Sequence, residues 1–176
     1  MADWPRFEPQ RILGLLTARG VDFVLIGGYA AVLHGSPRVT RDLDLCHATD
    51  RANLRALGKV LAELDARPAG AKGELPFIPD ERTLAKTELL TLETDAGRLD
   101  LMTAPAGSPG YERLRSGAAR YEIGGFLVKV AEIDDLLLMK AAAGRPKDLA
   151  DIAELEAIAR LRRSVGGRAR RRHARR

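Results

Sequence analysis

Residues 23–45, FVLIGGYAAVLHGSPRVTRDLDL, hold two apolar runs on either side of a short Ala-rich segment, and their reading decides the fold. The first run, VDFVLIGG from Val21, reads as a buried strand entering a Gly-Gly turn. YAAVLHG reads as a brief helix closed by Gly35, and Pro37 keeps it from continuing. VTRDLDLC, from Val39, is the second strand. Strand side chains alternate between faces, so Thr40, Asp42, Asp44 and Cys46 share one side while Val39, Arg41, Leu43 and Leu45 take the other. Two carboxylates roughly 6 to 7 Å apart on one face repel each other, and removing them from water is costly without a counter-charge. An exposed sheet edge would relieve that cost, and so would a divalent cation. Mg²⁺ prefers one or two carboxylates completed by water and phosphate oxygens.

Gly27-Gly28 adds to this. A glycine pair between a strand and a helix lets backbone N–H groups and the helix dipole face a phosphate, although alone it is also an ordinary tight turn. Further along, GRLDLM places Asp100 between leucines on another apolar strand, a third candidate carboxylate on the same sheet face. Three acids converging there suit a two-metal site for phosphoryl or nucleotidyl transfer.

Around this centre, Pro9 to Ala18 has helical spacing, and Asp50 is a plausible N-cap for a helix with Leu54, Leu57, Leu61 and Leu64 on its apolar face. Pro68, Gly70 and Gly73 mark a loop. ELLTLETD and RLDLMTA flank an Asp95-Ala96-Gly97 turn, and RYEIGGFLVKVA is a second hairpin with Gly124-Gly125 at its tip. Ile133 to Ala143 is helical, Gly144-Arg145 breaks it, and Pro146 starts another helix. Lys140 follows Ile133, Leu136 and Leu137 at helical spacing, so it points inward and needs an anionic partner, unless it snorkels at the core's edge. Asp148 and Asp151, one turn apart, either pair with Lys140 or Arg145 or serve the N-terminal end of the helix dipole. Arg38 sits in the approach to the D-x-D strand, within reach of a phosphate. Cys46 is read as packing, and His34 as a bystander rather than a nucleotide contact.

The 176 residues suit one domain, with an α/β (α+β) fold: residues 1–130 as a small mixed sheet flanked by helices, 131–163 as C-terminal helices packed on it, and 164–176 as a disordered basic tail. The single cysteine excludes an internal disulfide, and the three histidines lack zinc spacing, so any metal must be held by carboxylates. No apolar run long enough to cross a bilayer and no signal peptide is read, so a cytoplasmic protein without membrane contact is expected. The net charge of +5 is carried by the end: nine arginines and no acid follow from Arg160, leaving residues 1–159 net acidic. Arg168, Arg170, Arg171 and Arg172 are candidate nucleic-acid contacts by counterion release, or part of a solubilising terminus.

Taken jointly, the Gly-Gly turn, the short helix, the D-x-D strand and the later Asp100 resemble the nucleotidyltransferase superfamily that includes polymerase beta. More narrowly, FVLIGGYAAVLHGSPRVTRDLDL, GRLDLM and LLLMKAAAGRPKDLADIAEL resemble the minimal bacterial nucleotidyltransferases related to AbiEii-type and MenT-like toxins of toxin–antitoxin systems, over about residues 10–160. The resemblance implies metal binding (Mg²⁺ or Mn²⁺) by Asp42 and Asp44 with Asp100 as third carboxylate, and contact to an NTP by Gly27, Gly28, Arg38, Lys140, Arg145, Asp148 and Asp151, with Lys140 also counted as catalytic. It implies transfer of a nucleoside monophosphate to an acceptor, tRNA or another RNA, and an antitoxin partner. Tyr29 departs from the pattern, since a serine commonly follows the small pair. Two other readings stand beside it: a non-catalytic nucleotide- or RNA-binding module, and a small-molecule (antibiotic) nucleotidyltransferase.

Overall fold

The computed structural model describes residues 7–70 and 77–173, with the side chains of Lys147 and of residues 166–173 outside that description. In chain order the elements are α1 (Pro9–Ala18), β1 (Phe23–Ile26), α2 (Gly27–His34), β2 (Asp42–His47), α3 (Arg51–Glu63), β3 (Arg67–Pro68), α4 (Glu81–Ala85), β4 (Leu89–Thr94), β5 (Gly97–Met102), α5 (Tyr111–Gly117), β6 (Ala119–Ile123), β7 (Phe126–Val130), α6 (Ile133–Ala143) and α7 (Pro146–His173). The strands form one mixed sheet in the order β3-β4-β5-β2-β1-β7-β6. β1 and β2 pair antiparallel around α2, whereas β2 runs parallel to β5 and β1 parallel to β7. The two predicted hairpins, β4/β5 and β6/β7, are both present.

All four residues of β1 are buried, as expected of a central strand covered on both faces. In β2 and β5 the leucine face enters the core: Leu43, Leu45 and Leu99 are fully buried and Leu101 nearly so, and on the aspartate face Cys46, near the end of β2, is buried as well. Each leucine contributes roughly 2 kcal/mol of burial, which fixes the strand register, because a slip by one residue would drive the aspartates into that core. Ile12 and Leu16 of α1, Leu54, Leu57 and Leu61 of α3, Ile133 and Leu136 of α6, and Leu155 and Ala159 of α7 join the same hydrophobic cluster. Asp50 caps α3 by accepting from the Asn53 N–H at 3.0 Å.

Several elements differ from the sequence reading. β2 begins at Asp42; residues 36–41 have no regular structure, and Val39 is 85% exposed. Pro37, with no N–H to donate, disfavours a ladder there. β3, α4 and α5 occupy segments too short to show periodicity. α7 continues through residues 164–173, where a disordered tail was expected, consistent with the helix propensity of Ala and Arg; residues 174–176 lie outside the described residues. The candidate RNA contacts Arg168, Arg170, Arg171 and Arg172 have side chains outside the described residues. No helix among the described residues is long and apolar enough to cross a membrane.

Candidate active site

Because leucines claim one face of β2, Asp42 and Asp44 are presented on the other, where a cavity of about 980 Å³ opens. The parallel pairing of β2 with β5 sets Asp44 directly beside Asp100 and Asp42 beside Arg98. All three sequence-predicted carboxylates therefore share one cavity floor. Asp44 is pushed up to about 6, first by burial and then by the negative charges of Asp42 and Asp100; the Gly28 N–H opposes this by donating to Asp44 Oδ2 at 3.4 Å. Thr40 donates to Asp42 Oδ1 at 2.6 Å. Asp100 Oδ1 is buried without a hydrogen-bond partner, and its nearest cation is Arg98 Nε at 3.7 Å.

Gly27 and Gly28 open α2 against these acids. Gly27 has φ +67°, and a Cβ there would collide with Asp44 Oδ2. At Gly28 a Cβ would meet Thr40 Oγ1 at 2.9 Å. Gly27 is thus required by the close approach of turn to carboxylate, and Gly28 is crowded by the Thr40 hydroxyl. Tyr29, which replaces the usual serine, turns away from the cavity to pack edge-on against Phe7, with ring centroids 6.0 Å apart.

The facing wall comes from α6, α7 and the loop before β2. Lys140 lies on the inward stripe as predicted, only 12% exposed, with Nζ 2.6 Å from Asp151 Oδ2 and 3.6 Å from Asp148 Oδ1. Burial holds its ammonium below the ordinary lysine range despite those acids. Arg145 Nε donates to Asp148 Oδ2 at 2.8 Å, and that hydrogen bond holds Asp148 below the usual carboxylate range. Arg38 forms an ion pair with Asp151. Of the two sequence readings for Asp148 and Asp151, cation pairing is realised, while Asp148 also stands in the first turn of α7.

Sequence reasoning missed Arg98, Thr91 and Glu88, which also line the cavity, and placed Arg41 away from it, whereas Arg41 lies ahead of β2 at the cavity rim. The signal for Arg98 was available: it stands two residues before Asp100 and so shares its face. Cys46 is buried and its thiol is pushed up to about 11 by that burial, in keeping with packing. His34 does not line the cavity. Its Nε2 donates to the Ala131 carbonyl at 2.7 Å, while Nδ1 accepts from the Tyr121 hydroxyl and from Arg162, each at 3.0 Å. This junction ties α7 to the end of α2 and to β6.

Among the described residues no three His, Cys, Asp or Glu side chains are grouped to hold a metal by themselves. The donor set nonetheless fits a hard divalent cation. Asp42 and Asp44 offer two carboxylates, one of them destabilised by its like-charged neighbours, and a magnesium-type ion takes its remaining ligands from phosphate and water.

A mixed sheet with a glycine turn set against paired strand aspartates, faced by a lysine and arginines, defines a nucleotidyltransferase fold and site. Residues 15–173 match the family described as "Nucleotidyl transferase AbiEii toxin, Type IV TA system", and the chain belongs to that family of nucleotidyltransferases. Solved structures share the fold. The lincomycin-bound lincosamide antibiotic adenylyltransferase LnuA aligns with TM-score 0.56 at 20% identity, covering 88% of this chain and 99% of that one. The antibiotic-resistance factor ANT(2'')-Ia aligns with TM-score 0.50 at 18% identity over 94% of this chain and 95% of its own. An antigenic nucleotidyltransferase-like protein from Paracoccidioides brasiliensis aligns with TM-score 0.50 at 23% identity, covering 86% and 73%. No curated protein sequence matches the chain.

Proposed function

We propose that the chain transfers a nucleoside monophosphate from an NTP to the hydroxyl of an RNA acceptor, tRNA being the leading candidate, and that it does so as the toxin of a toxin–antitoxin pair. The observation that carries this is the placement of Asp44 beside Asp100, under a glycine turn and opposite Lys140, Arg145 and Arg38. Asp42 and Asp44 hold a divalent cation, Mg²⁺ or Mn²⁺, and Asp100 completes the acidic floor. When bound, the cation neutralises phosphate charge and draws electrons from the phosphorus under attack. The backbone of Gly27 and Gly28 contacts the triphosphate. Lys140, Arg38 and Arg145 bind its outer oxygens, with Asp148 and Asp151 holding those cations in place. The acceptor hydroxyl forms the new P–O bond as the bond to pyrophosphate breaks, and the Asp100 carboxylate takes the hydroxyl proton. Arginines from Arg160 onward, including Arg168, Arg170, Arg171 and Arg172, suit the phosphate backbone of an RNA.

Incubating the protein with each labelled NTP, Mg²⁺ and total tRNA tests the reading. Label should pass to RNA with the wild type and not with Asp42→Ala; no transfer, or equal transfer by both, refutes it. A small-molecule acceptor is favoured by one feature, the apolar side of the cavity mouth, where Leu89 is 59% exposed beside Met102. Drug resistance on expression, in place of growth arrest, would select it.

A further inference from the structure

We propose that Arg98 is a built-in counter-cation of the acidic floor, so that the nucleotide-free protein binds one divalent cation at Asp42 and Asp44 and none at Asp100. The inference deepens the reading above and rests on its cation site. Three observations support it. In the sheet register Arg98 is flanked by Asp42 on β2 and Glu93 on β4, and it shares a face with Asp100 two residues on. Arg98 Nε lies 3.7 Å from Asp100 Oδ1, the buried oxygen that has no hydrogen-bond partner. And among the described residues, no group of three acids is arranged to hold a metal, although Asp42, Asp44 and Asp100 all line one cavity. A guanidinium cannot lose its charge under ordinary conditions, so a second cation approaching Asp100 meets a fixed like charge. The same side chain is 53% exposed and lines the cavity. Arg98 is thus a positioning residue: it occupies the place beside Asp100 Oδ1 that a second ion would take.

Mn²⁺ titration of the nucleotide-free protein, followed by calorimetry and by electron paramagnetic resonance of free ion, tests this without any turnover. The wild type should bind one ion, Arg98→Gln should bind a second at least tenfold more tightly than the wild type does, and Arg98→Lys should retain one. Asp100→Asn should leave the first ion's affinity within about threefold. Two ions on the wild type, or one ion on both the wild type and Arg98→Gln, overturns the role of Arg98. Loss of the first ion in Asp100→Asn also overturns it. Absence of any ion from every variant instead removes the cation site itself. Circular dichroism of each variant separates these results from misfolding.

Discussion

Replacing Asp44 by Asn should stabilise the protein while removing its capacity to hold a cation. Folding moves this carboxyl from its ordinary value of 3.8 up to about 6, chiefly through burial. The folded state therefore binds that proton more tightly than the unfolded chain. This contribution to stability is fully present below about pH 4 and is lost as pH rises through about 6. At about 1.4 kcal/mol per pH unit, a rise of that size gives a cost of about 3 kcal/mol carried by the ionised native protein above pH 7. An asparagine cannot ionise, and its side-chain oxygen still accepts from the Gly28 N–H, so the variant escapes the cost. Urea unfolding across pH 4 to 8 should show the Asp44→Asn protein about 3 kcal/mol more stable at pH 8 and nearly equal to wild type at pH 4. At this chain length that corresponds to roughly 6 to 12 °C in Tm at the alkaline end. Adding Mg²⁺ should recover part of the difference by stabilising the wild type alone through mass action. A gain of the same size at both pH values, or none at pH 8, would refute the claim that Asp42 and Asp100 crowd a buried Asp44.

Three further outcomes follow from the geometry. Gly27→Ala forces a Cβ onto Asp44 Oδ2 at a left-handed φ; differential scanning fluorimetry should show a loss of about 1 to 2 kcal/mol, and nucleotidyl transfer should fall by at least a hundredfold, more than the destabilisation accounts for. Asp148→Ala removes a side chain 1% exposed that partners both Lys140 and Arg145, while Lys140 keeps Asp151 and Arg145 is 57% exposed, so chemical denaturation should register about 1 to 2 kcal/mol of destabilisation, and a result within the error of wild type would count against the pairing. Burial holds His34 below the ordinary imidazole range. Its contribution is present above about pH 6.5 and lost as pH falls, so acidification from pH 7 to 5 should destabilise wild type more than His34→Gln, read as the difference between their unfolding midpoints.

The acidic face was legible because two independent rules met on it: alternation along a strand and the cost of placing carboxylates in an apolar run. The same rules located Asp100, whose strand has the same leucine pattern. The helical stripe that carries Lys140 was legible too, since the spacing from Ile133 and Leu136 alone turns it inward. What the sequence could not resolve was pairing across elements. Arg38 and Asp151 stand 113 residues apart and meet only because α7 folds back over the loop before β2. Arg98 shows a different failure. Its parity with Asp100 already placed it on the acidic face, and the register beside Asp42 adds which acids it stands between. β3 and α4 are two and five residues long, below the length at which periodicity carries information. α4 is held instead by tertiary packing and a cap: Leu84 is buried in the core, Asp80 accepts from the Thr83 N–H at 2.8 Å, and Glu81 adds ion pairs to Arg51 and Arg55 of α3.

The charge balance of the cavity explains why cation and nucleotide should bind as a unit. Its lining carries six carboxylates against five cationic side chains, and the cations of the α6–α7 wall are already engaged by Asp148 and Asp151. A triphosphate entering alone would have to compete with Asp151 for Lys140 and Arg38 while facing the ionised floor of Asp42, Asp44 and Asp100. One divalent ion on that floor reverses the sign of the whole cavity. It also offsets the repulsion from Asp42 and Asp100 that adds to burial in raising Asp44, so part of its binding energy comes from relieving a cost the folded chain already bears. By linkage, the nucleotide must then raise the ion's affinity by the same factor as the ion raises the nucleotide's. The pairs to Asp151 and Asp148 keep the unloaded cations placed and partly desolvated. Their exchange for the phosphate oxygens of the proposed nucleotide would therefore cost little reorganisation.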